Sequence, residues 1–213
     1  MTYRFSNLLK NRWRFLPGVL ASLIILVLSQ LGVLDDLENA SYRWLFQSRG
    51  ERPWDSRVVL VAIDDATLSE LGQFPLPRDV YTELLNRLAV SRPRVIGFNL
   101  LFAESSPADP ALAVAIAQAG NVVLATGTDE RGRPLTAAHT LRSAAIATGH
   151  VRKQVASDGV VHTVEPLVAS ETHLGMTLAE VYSLTQAPVV LPPLDQPLWI
   201  NWPGSITTLP QYS

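Results

Sequence analysis

The stretch Val58-Val59-Leu60-Val61-Ala62-Ile63-Asp64-Asp65 decides the fold class of this chain. Its apolar residues, most of them β-branched, follow one another without polar alternation, which is typical of a strand buried on both faces. Two carboxylates then end the run. Strands of this kind occur in parallel sheets covered by helices, so the stretch predicts an α/β domain wherever amphipathic helices follow it.

Such helices do follow, and they alternate with further apolar runs. Residues 78–89 carry their apolar side chains on one helical face and most charges on the other. Further strands are predicted at 94–101, 121–125 and 198–201, and further helices at 109–119, 140–148 and 177–186. Asp158-Gly159 favours a tight turn, so residues 149–168 are expected to form a β-hairpin. The predicted fold is α/β, with a mostly parallel sheet, flanking helices and an antiparallel hairpin.

An uncharged, mostly apolar run, residues 15–34, precedes this domain. As one helix it would span about 30 Å, the thickness of the hydrocarbon core of a bilayer. Four basic residues and no acidic residue lie before it, which places the amino terminus in the cytoplasm. We therefore expect a cytoplasmic tail over residues 1–14, a transmembrane helix over 15–34 and an extracytoplasmic domain over 35–213, in a single-pass protein of the inner membrane.

Two other interpretations of the apolar run stay open. A cleaved signal peptide also begins with basic residues, but its apolar core is typically 7–15 residues long and a small-residue cleavage site follows it. This run is longer, and no clear cleavage site follows. A buried core helix is the third interpretation.

Composition excludes several function classes. The chain has no cysteine, which excludes disulfides, thiolate catalysis and zinc-thiolate sites. Residues 35–213 carry 13 basic and 19 acidic residues, a net charge of −6. An acidic domain lacks the electrostatic footprint of a nucleic-acid-binding protein. We therefore expect no nucleic-acid partner.

Four polar residues are candidates for a ligand site. Asp64 and Asp65 follow one predicted strand, Asn99 follows another, and Arg78 begins a predicted helix. Ligands of open α/β sheets bind outside the carboxyl ends of the strands, so these side chains could converge on one small polar ligand. The structural alternative is that Asp64 or Asp65 caps a helix and that Arg78 pairs with one of them.

No catalytic constellation accompanies these residues. The four histidines, at positions 139, 150, 162 and 173, lack close metal-ligand spacing, and no nucleophile elbow, phosphate-binding loop or dinucleotide fingerprint occurs. We expect neither a metal nor a cofactor, and no enzymatic activity. The alternatives are a periplasmic hydrolase with Asp64 as base or nucleophile, which lacks a second catalytic group, and a module that only dimerises.

Seven segments resemble the CHASE domain of type two, a cyclase/histidine-kinase-associated sensory extracellular domain. The most specific are Leu71-Gly72 with Phe74-Pro75 and Pro77-Arg78, and the strand from Val95 to Phe102. The other segments are Val59–Asp65, Asp109–Leu112, Gly149–Val151, Asp158–Val161 and Ile200–Gly204. All seven occur in the same order as in the family. The resemblance covers about residues 35–213.

The resemblance implies an extracytoplasmic sensor that follows one membrane helix and responds to an unidentified signal. We expect the chain to be part of a bacterial receptor and to form a homodimer. It also implies a further strand, further membrane helices and a cyclase or kinase output beyond the position of Ser213, so we interpret the sensor as incomplete at its carboxyl end. The sequence differs from the usual family pattern at two places, and both differences would make a polar pocket formed there less acidic. Asn99 stands where the family usually has Asp, and Ala156-Ser157 replaces an acidic turn sequence.

Overall fold

The computed structural model describes residues 15–72, 74–186 and 188–213. The predicted cytoplasmic tail, residues 1–14, lies outside the described residues. The helices are α1 (Leu16–Gln30), α2 (Asp35–Arg49), α3 (Asp65–Leu71), α4 (Arg78–Ser91), α5 (Asp109–Ala119), α6 (His139–Ala144) and α7 (Leu174–Ser183), and a 3-10 turn covers Ile206–Thr208. The strands are β1 (Leu60–Val61), β2 (Ile96–Phe98), β3 (Val122–Thr128), β4 (Pro134–Leu135), β5 (Ala147–His150), β6 (Thr163–Val164), β7 (Leu167–Val168), β8 (Glu171–Thr172), β9 (Leu198–Trp199) and β10 (Gln211–Tyr212).

The apolar run forms a shorter helix than predicted. Helix α1 ends at Gln30 because Gly32 takes a left-handed conformation (φ 69°) and the Val33 N–H donates to the Leu28 carbonyl, an arrangement that stops helices. Helix α2 then leaves at 83° to α1. Within the described residues no single helix is long and apolar enough to cross a membrane, and the bent pair α1–α2 passes that test only jointly.

The centre of the domain is a small sheet with the strand order β2-β3-β5, all parallel, and with β4 antiparallel on β3. Residues 122–125 of β3 are fully buried. Val122 and Leu124 face a core built with α4, α5 and α6, whereas Val123 and Ala125 face a second core built with α7. The α/β class is confirmed, and the uninterrupted apolar pattern of β3 is explained by helices on both faces.

The expectation of one mostly parallel sheet is only partly met, because the fold is mixed α/β with several small sheets. Strand β1 pairs in parallel with β10 and not with β2. Strands β1 and β10 thus form a two-stranded sheet apart from the central one.

The predicted hairpin is wrong in its pairing. The turn itself is present, because the Ala156 N–H donates to the Val160 carbonyl and Gly159 has φ 77°. The flanking segments pair elsewhere: β5 lies beside β3, and β6 pairs with β9. A two-residue hairpin does occur at β7–β8, where Ala169 and Ser170 both have positive φ, as a type I′ turn requires.

The alanine-rich segment is also divided differently from the prediction. Helix α6 ends at Ala144, and residues 147–150 form β5 instead of a continued helix. The strand is favoured by close packing, since a Cβ added to Gly149 would lie 2.7 Å from the Leu174 Cα of α7. Helix α7 begins at Leu174, before the predicted Thr177, because the His173 ring caps it by accepting from the Gly175 N–H.

Candidate functional site

Asp64 serves as the amino-terminal cap of α3. Its carboxylate accepts hydrogen bonds from the Thr67 N–H at 2.9 Å and from the Thr67 hydroxyl at 3.0 Å. These two bonds lower the pKa of the exposed Asp64 carboxyl, so the group is a weaker base than an ordinary aspartate. The cap expected under the structural alternative is present at Asp64. The hydrolase hypothesis gains no support from this carboxylate.

Arg78 is committed to a buried network and does not pair with Asp64 or Asp65. Its Nε donates to Asp109 Oδ1 at 3.0 Å and its Nη2 donates to the Glu104 carbonyl at 2.9 Å. The guanidinium lies 4.6 Å from the Phe102 ring centre. The second Asp109 oxygen accepts from the Ser106 N–H. Arg78 thus ties the start of α4 to the loop after β2 and to the start of α5.

The remaining predicted residues, Asp65 and Asn99, are both exposed. They follow β1 and β2, which belong to different sheets, so the shared sheet edge that suggested their convergence is absent from the described fold. Ligand binding by Asp64, Asp65, Arg78 and Asn99 stays a prediction.

A different polar cluster, which we call the polar row, lies at the carboxyl edge of β3 and β5. Thr126 and His150 are direct partners in the parallel ladder, and His173 forms a bridge with His150 on the other side. The two histidine rings meet edge to face at 5.2 Å between centres. Thr126 and His150 are 2% and 3% exposed, while His173 is half-buried. This is the sheet edge where α/β folds bind ligands.

The polar row presents uncommitted hydrogen-bonding atoms. Among the described residues, Thr126 Oγ1 and His150 Nε2 are buried without a hydrogen-bond partner. His150 Nδ1 accepts from the Arg152 N–H, which assigns the proton of the neutral ring to Nε2. Buried polar atoms are normally paired, so two neighbouring exceptions are typical of a site that receives a polar group.

Burial keeps both histidines of the polar row neutral. Loss of solvent lowers the pKa of His150 and of His173, and the nearby Glu171 carboxylate only partly offsets this for His150. Glu171 is itself held by the Thr148 hydroxyl at 3.0 Å. The row therefore offers neutral donors, which suit a small ligand with carbonyl or hydroxyl oxygens.

These shifts predict that acid destabilises the folded domain. Unfolded histidine takes up a proton near pH 6.5, whereas folded His150 and His173 resist protonation until a lower pH, so the unfolded state binds more protons in between. Stability should therefore fall as the pH drops below about 6.5, by at most about 1.4 kcal/mol per pH unit for each group. Urea unfolding between pH 7 and pH 5 measures the slope.

A matched pair of variants assigns that slope. His150→Gln should reduce it, and the exposed His139→Gln should leave it unchanged. A slope that is equal in both variants and in the parent chain would contradict the role of His150.

A second feature, which we call the α2 seam, joins α2 to the body of the domain. The Tyr42 hydroxyl donates to the Ile200 carbonyl, and Arg49 donates to the Asn201 side chain and the Trp202 carbonyl. Arg43 pairs with Asp158 at 3.6 Å. A groove of about 410 Å³ lies along the seam, and its walls include Phe46 and Trp202.

A buried histidine reinforces the seam. His162 is 4% exposed and its Nε2 lies 2.9 Å from Asp158 Oδ2, and the hydrogen bond from His162 lowers the pKa of Asp158. The Tyr42 ring meets the His162 ring edge-on at 5.4 Å. The segment 162–166 then runs directly from the seam to the polar row, where the His173 N–H donates to the Pro166 carbonyl. The two features are thus connected by a few residues.

Sequence reasoning missed both features. The spacing of the histidines in the sequence is not that of metal ligands, so it does not indicate a site. In the described part of the chain, no cluster of histidine and carboxylate side chains could hold a metal ion. Their grouping depends on which strands pair, and pattern alone does not give that. The available signal was His150 within Gly149-His150-Val151, one of the segments that carry the family resemblance.

The chain is a mixed α/β domain with an apolar amino-terminal helix and a second helix fastened to its body. The CHASE2 domain family matches residues 19–213. The chain therefore belongs to the CHASE2 family, whose domains are extracytoplasmic sensory domains. Neither the curated proteins nor the solved structures gave a match.

Proposed function

We propose that this chain is the membrane-anchored sensory domain of a bacterial signal-transduction receptor. In this proposal residues 1–14 lie in the cytoplasm, the apolar run 15–34 anchors the chain in the inner membrane, and residues 35–213 lie outside and bind a small-molecule or other extracellular signal. Membership of the CHASE2 family and the basic-then-apolar amino terminus support the proposal. Catalysis is left to other domains of such receptors.

The α2 seam is the observation that carries the proposal. A sensor must convert ligand binding into movement of its anchor, which requires an element that both sites can bias. Ligand at the polar row would act on the segment 162–166, because the His173 N–H donates to the Pro166 carbonyl and because His162 contacts both Asp158 and Tyr42. A displacement of this segment would reach α2 through its residues Tyr42 and Arg43. It would then reach α1 through the turn at residues 31–34.

We propose that the chain forms a homodimer, so that a shift in the sensor can bias two membrane helices together. Sedimentation of the full chain in detergent, with detergent mass subtracted, measures its association. A monomer at all concentrations would contradict the dimer and would leave the sensory role to be tested separately.

The topology is testable because the chain has no native cysteine. Ser91→Cys places one thiol on the exposed end of α4, and Ser6→Cys places one in the predicted cytoplasmic tail. A membrane-impermeant maleimide applied to intact spheroplasts should label Ser91→Cys within minutes, and Ser6→Cys only after the membrane is permeabilised. The reverse pattern, or equal labelling of both, would contradict the proposed orientation.

A further inference from the structure

Helix α2 has two different faces. Tyr42, Phe46 and Arg49 lie along the face that forms the α2 seam and its groove. Leu37 and Trp44 lie on the opposite face and are 65% and 66% exposed, and Leu45, which is 58% exposed, lies at the flank of that face. Leu37 and Trp44, seven residues apart, lie in one stripe with Ser41 and Ser48, and Leu45 borders this stripe. Large apolar side chains in such a stripe indicate a partner that the described residues do not supply.

The direction of α2 identifies that partner. Helix α1 is exposed on all sides and almost wholly apolar, as an element surrounded by lipid is. Helix α2 leaves it at 83°, so a chain anchored through α1 carries α2 along the membrane surface. Only the turn at residues 31–34 separates α1 from α2, so the stripe begins a few residues after the apolar helix.

The composition of the stripe fits an interfacial position. Tryptophan is enriched where the hydrocarbon meets the headgroups, and helices that lie in this plane combine an apolar face with a polar one. The first turn of α2 is acidic, with Asp35, Asp36 and Glu38, and its two cations, Arg43 and Arg49, are engaged in the α2 seam. Anionic headgroups would be repelled there, so the charge pattern favours zwitterionic phospholipids.

We propose that α2 lies flat on the outer leaflet and that Leu37, Trp44 and Leu45 insert into a zwitterionic phospholipid surface. The inference rests on the proposed function, because it requires α1 to be the anchor. The sensory body then rests on the upper face of α2, and the lipid surface holds the lower face.

Single spin labels on the full chain in phosphatidylcholine nanodiscs test this inference. Ser41→Cys and Ser48→Cys report on the stripe, Ser22→Cys on α1, and Ser91→Cys on the exposed end of α4. We expect oxygen to relax the labels at 22, 41 and 48 more than a water-soluble nickel complex does. The label at 91 should be relaxed more by the nickel complex than by oxygen. Leu37→Ser with Trp44→Ser should raise nickel access at 48 severalfold and leave position 22 unchanged.

The possible results separate the inference from the function on which it rests. Lipid access at 22 with water access at 41 and 48 would overturn the flat position of α2 while leaving the anchor intact. Water access at 22 as well would contradict the anchor itself. Low access to both reagents at 41, with spectral broadening that unlabelled chain removes, would overturn the lipid contact and assign the stripe to a second copy of the chain.

Discussion

Replacing Arg78 with methionine should destabilise the domain by about 3–5 kcal/mol, the cost of breaking one side of a buried ion pair. The side chains of Arg78 and Asp109 are only 12% and 6% exposed, so the variant leaves a buried carboxylate without its cation. Methionine keeps an apolar stem against Phe102, and the loss is therefore mainly electrostatic. Urea unfolding of the full chain in detergent, followed by tryptophan fluorescence, measures it.

Two variants serve as controls for Arg78→Met. Arg87 pairs with Glu83 within α4, but both side chains are largely exposed, so Arg87→Met should change stability by no more than about 0.5 kcal/mol. The double variant Arg78→Met with Asp109→Leu removes both charges and should recover at least half of the loss. Equal stabilities of the Arg78 and Arg87 variants would contradict the structural role of the pair.

The second large effect is expected at Gly149, where Ala should cost about 2–3 kcal/mol through overpacking. A Cβ at this position would lie 2.7 Å from the Leu174 Cα and 3.0 Å from the Leu174 nitrogen. Both are backbone atoms at the start of α7, so a rotamer change cannot relieve the contact and the helix must move away from β5. The same unfolding measurement applies, and histidine NMR signals should shift because His150 follows Gly149 directly.

Gly175 supplies the matched control for Gly149. Gly175 is the second residue of α7, and the atom nearest to a Cβ added there is His173 Nδ1 at 3.5 Å, an ordinary contact. Gly175→Ala should leave stability unchanged or raise it by up to about 1 kcal/mol, since alanine favours a helix over glycine. A loss at Gly175 as large as at Gly149 would contradict the steric explanation.

Features encoded within a short window were predictable from the sequence. Helix α4 follows from its apolar spacing, and the burial of β3 on both faces follows from its uninterrupted apolar run. The cap at Asp64 is equally local, because its partner Thr67 is three residues away. These features depend on nearest-neighbour chemistry, which a sequence displays directly.

Features that depend on distant pairing were not predictable. Arg78 has its partner at Asp109, 31 positions along the chain, and nothing near either residue identifies the other. The same holds for β1, which pairs with a segment about 150 residues later, and for the polar row, which exists only because β5 lies beside β3. Strand pairing is decided by packing over the whole domain and not by the local sequence pattern.

The pairing of β1 with β10 has a mechanical consequence. The Leu60 N–H donates to the Pro210 carbonyl and the Ala62 N–H donates to the Tyr212 carbonyl, so the two strands run side by side in the same direction. A pull on α2 along the chain therefore loads these bonds together, in shear, and does not open them one after another. If the chain is anchored as we propose, tension or torque transmitted through α2 is shared by β1 and β10, the first and last strands of the described domain.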